Sequence, residues 1–144
     1  MSTDDCESVR RFMDDEVAFN RHLGIRITRI EPGRVRMEMP FREHHVGDPL
    51  RGALHGGIVA TILDACGGAV AWSLFSAEDR VSTLDLRVDY LHPGPLEPIA
   101  CEGVSVKKGR HVVVVDMTVS AVADPERVVA RGRGAYSVWF HDEP

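Results

Sequence analysis

The amino-acid sequence predicts an α+β fold in which an antiparallel sheet wraps around one long central helix. Residues 54–75 are almost entirely apolar, which is typical of a helix that is buried on most sides. Six other segments alternate apolar and polar residues, as half-buried strands do. The chain has 144 residues, which is enough to bury a core, and we expect a single domain over residues 1–144.

The first element is a helix predicted over residues 2–22. Thr3 can serve as its N-cap, with Ser2 as the alternative, and acidic residues follow in the first turn. Gly24 is a typical C-terminal stop. A partial apolar stripe at helical spacing indicates that this helix packs over the sheet.

The predicted strands fall into two groups, one before and one after the central helix in the sequence. Before it, residues 25–30 and 34–40 form a hairpin around the turn Glu31-Pro32-Gly33, and residues 41–53 form a loop. After it, four strands are predicted at residues 82–91, 99–107, 111–122 and 128–140. The turns between the last three strands are Lys108-Gly109-Arg110 and Asp124-Pro125-Glu126.

The strand at residues 82–91 has the clearest alternation. One face carries the apolar residues Leu84, Leu86, Val88 and Tyr90, and the other carries Thr83, Asp85, Arg87 and Asp89. Because Arg87 stands between two aspartates, we expect it to form ion pairs across strands.

The composition and charge of the chain argue against several classes of function. A net charge of −5 without a basic run argues against nucleic-acid binding. The three cysteines form no C-x-x-C pair, so neither a zinc ribbon nor a disulfide framework is indicated. The acidic N-terminus lacks an apolar signal region, and we expect a cytoplasmic protein. Thr61, Asp64 and Ser73 interrupt the central apolar segment, which argues against membrane insertion.

Two features of the central helix indicate a site. Asp64 is an ionisable group within an apolar segment, where it is costly unless it is paired or used. The helix begins at His55-Gly56-Gly57, and the N–H groups and dipole at a helix N-terminus suit an oxyanion. Taken alone, the helix is better explained as a core helix with a hydrogen-bonded aspartate, because most helices that begin at glycine carry no chemistry.

The wider pattern resembles a known family. It consists of Leu54-His55-Gly56-Gly57, Asp64 nine positions after the histidine, and the segment STLDLRVDYLHPG at residues 82–94. In this combination the chain is similar to PaaI-type acyl-CoA thioesterases, which have the hotdog fold. The resemblance extends from about Phe19 to the last strand.

The resemblance implies a role for each matching residue. Gly56 corresponds to the backbone N–H that holds the thioester carbonyl oxygen, and His55 to its partner in the same loop. Asp64 corresponds to the acid that activates water or attacks the thioester, and Thr83 to the residue that positions the water. Gly57 and Asp48 are implied in substrate binding. Close relatives have Asn where this chain has Asp48, and an ionised Asp cannot donate to a substrate oxygen.

Helical geometry separates the two halves of this site. His55 and Asp64 are half a turn out of phase and about 13 Å apart along the helix axis. They cannot meet on one substrate atom within a chain, so we expect a site between two protomers of a homodimer. Cys66 is about 16 Å from His55, too far for a nucleophile pair, and is expected in the core. A metal site from His44, His45 and His55 lacks ligand spacing, so no metal is expected.

Coenzyme A carries phosphates, so an acidic chain needs a local basic patch to bind it. The candidates are Lys107, Lys108 and Arg110 at one hairpin and Arg131 and Arg133 on the last strand. A solvated turn and strand face would explain these charges equally well. Small helix residues, among them Gly67 and Gly68, leave room either for an acyl chain or for close packing of strands.

The resemblance therefore implies a thioesterase that hydrolyses acyl-CoA, of medium to long chain, to a free acid and coenzyme A. It implies no metal or redox cofactor and a homodimer or homotetramer. Two alternatives are an aryl-acyl-CoA thioesterase and a non-catalytic acyl-CoA-binding module on the same fold.

Overall fold

The computed structural model describes residues 2–144. The helices are α1 (Thr3–Arg11), α2 (Ala18–Leu23) and α3 (Gly56–Trp72), with a π-helical turn at Phe12–Glu16 and a 3₁₀ turn at Glu43–His45. The strands are β1 (Arg26–Glu31), β2 (Arg34–Met39), β3 (Val46–Asp48), β4 (Ala53–Leu54), β5 (Arg80–Tyr90), β6 (Ile99–Lys108), β7 (Val112–Ala121) and β8 (Asp124–Trp139).

Six strands form one antiparallel sheet in the order β1-β2-β6-β7-β8-β5. Helix α3 packs mainly against five of them, which are β2, β5, β6, β7 and β8. The predicted α+β architecture of a sheet wrapped around one central helix is therefore confirmed. None of the helices within residues 2–144 combines the length and the apolar character needed to span a bilayer.

The core lies between α3 and the sheet. Ile62, Leu63 and Cys66 on the helix are fully buried, as are Met37 and Val115 on the strands. Each fully buried aliphatic side chain contributes about 1.5–3 kcal/mol. One stripe of α3 is only partly covered, which the all-apolar composition did not predict. The stripe has helical spacing and consists of Thr61, Asp64, Ala65 and Gly68.

The N-terminal segment is less regular than predicted. Its N-cap is Ser2 and not Thr3, because the Ser2 hydroxyl accepts from the Asp5 N–H at 3.1 Å and the Asp5 carboxylate accepts from Ser2 in return. The predicted single helix is interrupted after α1, where the buried Asp14 accepts from the backbone N–H of Ile27 at 2.9 Å. The stop at Gly24 is confirmed by its left-handed φ of 77°.

A β-bulge in β5 overturns the predicted alternation. Thr83 pairs with Tyr136 and Asp85 with Ala135, so Leu84 is an extra residue with no partner of its own in the register. Leu84 is consequently 58% exposed, whereas Thr83 and Leu86 both face α3. The prediction that Thr83 lies on the face opposite Leu86 is therefore wrong.

Three further local predictions are wrong. Arg87 pairs with Asp89 on its own strand at 3.3 Å, because its partner across the strands is Arg133. The predicted loop at 41–53 contains the 3₁₀ turn and part of a small β3–β4 pair. The last turn consists of Val122 and Ala123, and β8 already begins at Asp124.

A tyrosine explains one of the small residues of α3. Tyr136 on β8 is fully buried, and its ring lies between Gly67 of α3 and Gly134 of its own strand. A Cβ at Gly67 would lie 2.6 Å from the ring carbon Cζ, whereas a Cβ at Gly68 would be 3.9 Å from the nearest ring atom. Gly67 therefore makes room for the phenol, and Gly68 does not.

These distances predict opposite effects for two neighbouring substitutions. Gly67→Ala should lower the free energy of unfolding by about 1–3 kcal/mol, since the packed ring must move. Gly68→Ala should raise it by about 0.5–1 kcal/mol, because alanine favours the helix and meets only ordinary contacts. Urea denaturation of both variants measures the difference, and equal stabilities would contradict the packing described here.

Candidate active site

The N-terminus of α3 is capped by the side chain of His55. Its Nδ1 accepts from the Gly57 N–H at 2.9 Å, so the neutral ring carries its proton on Nε2. The Ile58 N–H is bonded to the His55 carbonyl at 2.9 Å. Within residues 2–144 the exposed Gly56 N–H has no acceptor. It is therefore the donor that this helix terminus offers to an anion.

Backbone contacts from two distant segments hold this terminus in place. The His55 N–H donates to the His45 carbonyl at 2.8 Å, and a Cβ on Gly47 would lie 2.5 Å from the His55 Cα. The Leu54 N–H donates to the carbonyl of Gly94 at 3.0 Å. The close approach of this strand to the helix terminus therefore requires glycine at position 47.

Tyr90 adds a side-chain contact at the same place. Its hydroxyl donates to the Gly56 carbonyl at 2.8 Å. Tyr90 and Gly94 both belong to the segment at residues 82–94 that carried the family resemblance. That segment is thus the structural support of the helix terminus.

Asp64 lies on the partly covered stripe of α3. Its Oδ1 accepts from the Thr83 hydroxyl at 2.9 Å and lies 3.4 Å from the Tyr136 hydroxyl. The Tyr136 hydroxyl is also 3.4 Å from the Asp64 carbonyl. Burial, and then the charge of Asp64, raise the pKa of Tyr136 well above its usual value, so the phenol remains a donor.

An apolar cavity of about 340 Å³ opens beside Asp64. It lies between α3, β5 and the N-terminal helices and is lined by Phe12, Met13, Val17, Phe19, Asn20, Thr61, Asp64, Ala65, Gly68, Trp72, Arg80, Val81, Thr83 and Tyr136. The guanidinium carbon of Arg80 is 5.5 Å from the Trp72 ring centroid and 5.8 Å from that of Phe12. The cavity thus has a carboxylate in its wall and aromatic rings in its lining.

The chain does not bring all predicted site residues together. Thr83 and Asp64 are in contact, and His55 and Gly56 are adjacent at the helix terminus. Gly56 and Asp64 are eight residues apart on one helix, which corresponds to about 12 Å along its axis. Gly57 donates its N–H to His55 and is therefore not a free donor.

Asp48 is occupied by its own turn. Its Oδ1 accepts from the N–H groups of Leu50 and Arg51, at 3.0 and 3.1 Å, and its Oδ2 accepts from the Arg51 Nε at 2.7 Å. The side-chain bond from Arg51, followed by the backbone bonds, lowers the pKa of Asp48. The residue is thus an ionised acceptor that closes a turn.

The predicted basic patch lies at the opposite end of α3 from Gly56. Lys107 and Lys108, which are the two lysines of the chain, lie at the end of β6. The Lys108 Nζ lies 4.7 Å from the ring centroid of Phe75, just beyond the end of α3. Arg110 pairs with Glu143 at 2.8 Å. The alternative patch is occupied in part, since Arg133 forms two bonds to Asp116.

The remaining candidates are engaged in packing. Cys66 is fully buried, with its Sγ 3.7 Å from the carbonyls of Val35 and Cys101, which confirms its place in the core. The buried His45 ring stacks edge-on against His44 at 4.6 Å, and burial lowers the pKa of His45. Residues 2–144 contain no group of three or more His, Cys, Asp or Glu side chains arranged to hold a metal ion.

Sequence reasoning missed three residues near this site, Tyr136, Tyr90 and Arg80. A buried tyrosine with a partner cannot be told from an ordinary core aromatic by alternation alone. The available signal was the pair Gly67 and Gly134, because glycines inside a helix and a strand indicate a close approach by another group.

Comparisons with known proteins agree with this architecture. The family model described as "Thioesterase superfamily" matches residues 51–129. The chain is 31% identical to the medium/long-chain acyl-CoA thioesterase YigI of Escherichia coli, over 67% of this chain and 70% of that protein. It is 31% identical to acyl-coenzyme A thioesterase 13 of Pongo abelii, over 80% and 81%. A thioesterase family protein from Silicibacter pomeroyi has a similar structure, with a TM-score of 0.86, 32% identity and coverage of 94% and 98%.

The cap at His55 predicts a measurable contribution to stability. His55→Ala should lower the free energy of unfolding by about 1 kcal/mol, because the Gly57 N–H loses its acceptor. His55→Asn keeps an acceptor at the cap and should stay close to the wild type. Thermal and urea denaturation test the pair, and an Ala variant as stable as the Asn variant would refute the cap.

Proposed function

The chain belongs to the thioesterase superfamily and is a thioester hydrolase of the hotdog fold, and on that basis we propose that it hydrolyses acyl-CoA to a free acid and coenzyme A. The observation that carries the proposal is a carboxylate held by a hydroxyl in the wall of an apolar cavity, in a helix whose terminus offers a donor to an oxyanion. Relatives named as acyl-CoA thioesterases support the choice of coenzyme A as the leaving group.

In the proposed reaction, Asp64 removes a proton from a water molecule that attacks the thioester carbonyl carbon. The Thr83 hydroxyl donates to Asp64, and its oxygen lone pairs can accept a hydrogen bond from that water. The Gly56 N–H of a second copy holds the oxyanion of the tetrahedral intermediate. The C–S bond then breaks, and the coenzyme A thiolate takes up the proton.

Asp64 can also serve as the nucleophile. Its attack on the thioester would form a mixed anhydride and release the thiolate, and water would then hydrolyse the anhydride. Both routes need the same carboxylate, the same oxyanion donor and no metal or redox cofactor. A single turnover in H₂¹⁸O tests the anhydride: water that attacks its aspartyl carbonyl leaves the label on Asp64, and the general-base route never labels Asp64.

The proposed dimer follows from the separation of donor and base. Gly56 and Asp64 are about 12 Å apart along α3, so the donor at each site must come from a second copy.

Strand β5, with 11 residues, is an edge of the sheet and pairs only with β8 within residues 2–144. Leu84 and Tyr90 on this edge are 58% and 54% exposed. A long edge with exposed apolar residues favours pairing with another chain, and two-fold symmetry then gives two equivalent sites. Two such dimers can associate into a tetramer without changing either site.

We assign the acyl group to the cavity beside Asp64. Its walls are mainly apolar, and a volume of about 340 Å³ is within the range of small-molecule sites. A medium- to long-chain fatty acyl group suits this lining and agrees with the name of the Escherichia coli relative. Aryl-acyl groups are the second candidate, since the rings of Phe12, Phe19 and Trp72 contribute to the walls.

We assign the phosphates of coenzyme A to Lys107 and Lys108, with Arg110 beside them. The acidic partner of Arg110 leaves the two lysines as the more available charges. In a two-fold dimer with antiparallel α3 helices, the basic turn of one copy approaches the Gly56 terminus of the other. The patch and the oxyanion donor would then serve one bound substrate.

The assay that tests the proposed activity is thiol release from short, long and aromatic acyl-CoAs by the wild type and by Asp64→Asn. The variant should lose about 100-fold or more in kcat, because an amide cannot act as a base. Asp142→Asn makes the same change at an exposed position and should keep full activity. A wild type that binds acyl-CoA without turnover would favour the binding module, and full activity of Asp64→Asn would refute the mechanism.

The phosphate assignment predicts an effect on substrate affinity alone. Lys107→Gln together with Lys108→Gln should raise KM for acyl-CoA several-fold and leave kcat within about twofold. Activity on an N-acetylcysteamine thioester, which lacks the phosphates, should not change. Arg131→Gln with Arg133→Gln removes the same charge and tests the alternative patch, so a larger KM effect there would overturn the assignment.

A further inference from the structure

We infer that Tyr136 is a positioning residue that orients the Asp64 carboxylate by donating its phenol hydrogen bond to Oδ1. This inference rests on the proposed function of Asp64 as base or nucleophile. It concerns a residue outside the family motif, on the last strand of the sheet.

The geometry places the phenol beside both polar ends of Asp64. The Tyr136 hydroxyl is 3.4 Å from the Asp64 Oδ1 and 3.4 Å from its carbonyl oxygen. These distances are at the long end of the hydrogen-bond range, and catalytic hydrogen bonds tighten in the complex with substrate. A donor that reaches both atoms of one residue restricts the side-chain rotamer of that residue.

Tyr136 and Thr83 act from neighbouring strands. They are directly paired in the register of β5 and β8, so their side chains emerge together on the face toward α3. Both hydroxyls lie next to Oδ1, at 3.4 and 2.9 Å. Within the described chain, Oδ2 has no hydrogen-bond partner. The arrangement fixes one oxygen and leaves the other for the proton or the acyl carbon.

Two glycines give the phenol its place. A Cβ at Gly67 would overlap the ring, and a Cβ at Gly134 would lie 2.5 Å from its Cε2 atom. Glycine inside a helix or strand is less stable than alanine. A buried hydroxyl also costs free energy unless it is bonded, whereas phenylalanine would fill the same space without this requirement. These costs are explained if the hydroxyl serves Asp64.

The hydroxyl is a permanent donor in this environment. Burial and the nearby carboxylate raise the pKa of Tyr136 far above the pH range of the reaction, so it does not titrate. The other titratable or charged groups around the pair are Arg80 in the lining of the cavity, and Cys66 and Cys101 in the core. The N-terminal helices contribute only uncharged residues to this lining.

The test is Tyr136→Phe, which removes the hydroxyl and keeps the ring between its two glycines. We expect kcat to fall about 10-fold and KM to stay within about twofold, because a hydrogen bond to a charged group is lost near the reacting atoms. A donor favours the ionised carboxylate, so its loss should move the acidic limb of the kcat profile to higher pH. The melting temperature measures any loss of packing separately.

A double-mutant cycle with Asp64→Asn decides whether Tyr136 acts through Asp64. In the Asp64→Asn background, the further change Tyr136→Phe should have almost no effect on the residual rate. An equal fall in both backgrounds, or an unchanged kcat and pH profile in Tyr136→Phe, would overturn the inference. Full activity of Asp64→Asn alone would instead refute the proposed function, whatever Tyr136 does.

Discussion

The fold depends on how one carboxylate is accommodated in an apolar helix. A charged group in a largely apolar helix costs free energy unless it is paired, and the partly covered Asp64 is paired with donors on the sheet that covers α3. Thr83 and Tyr136 supply them from paired positions on β5 and β8. A slip of one residue in that register would turn a donor to the outer face. The pairing of β5 with β8 therefore also fixes the positions of the two donors. Gly67 and Gly134 leave the space that the Tyr136 ring needs.

Strand β5 joins this constraint to the other half of the site. Near its start, Thr83 holds Asp64 in the middle of α3, and at its end Tyr90 holds the carbonyl of Gly56 at the first turn. The loop after β5 then fixes Leu54 through Gly94. One strand thus contacts both the carboxylate and the helix terminus that carries the free N–H. The motif at residues 82–94 therefore supports the helix terminus and also carries Thr83, which contacts Asp64.

The sequence predicted the elements well because their signals are local. Apolar runs, alternation and turn residues identified α3, every strand of the large sheet and the stop at Gly24. The sequence-based prediction failed where a contact with a distant part of the chain determines the local backbone conformation. The bulge at Leu84 reverses the faces of β5, and Asp14 interrupts the first helix by accepting from a later strand. Tyr136 was missed for the same reason, since its role depends on a residue 72 positions away.

The distance between donor and base makes assembly part of the proposed chemistry. Gly56 and Asp64 belong to one continuous helix, so about 12 Å separates them unless α3 itself unfolds. No hinge or side-chain rotation within a copy can remove that separation. In the proposed mechanism, one copy therefore supplies the carboxylate and the acyl cavity, and a second copy supplies the oxyanion donor. Either half alone would lower the activation barrier less than the complete site does, because the nucleophile and the oxyanion donor act on the same carbonyl group. It follows that the same β5 edge which carries Thr83 would also control whether a complete site exists.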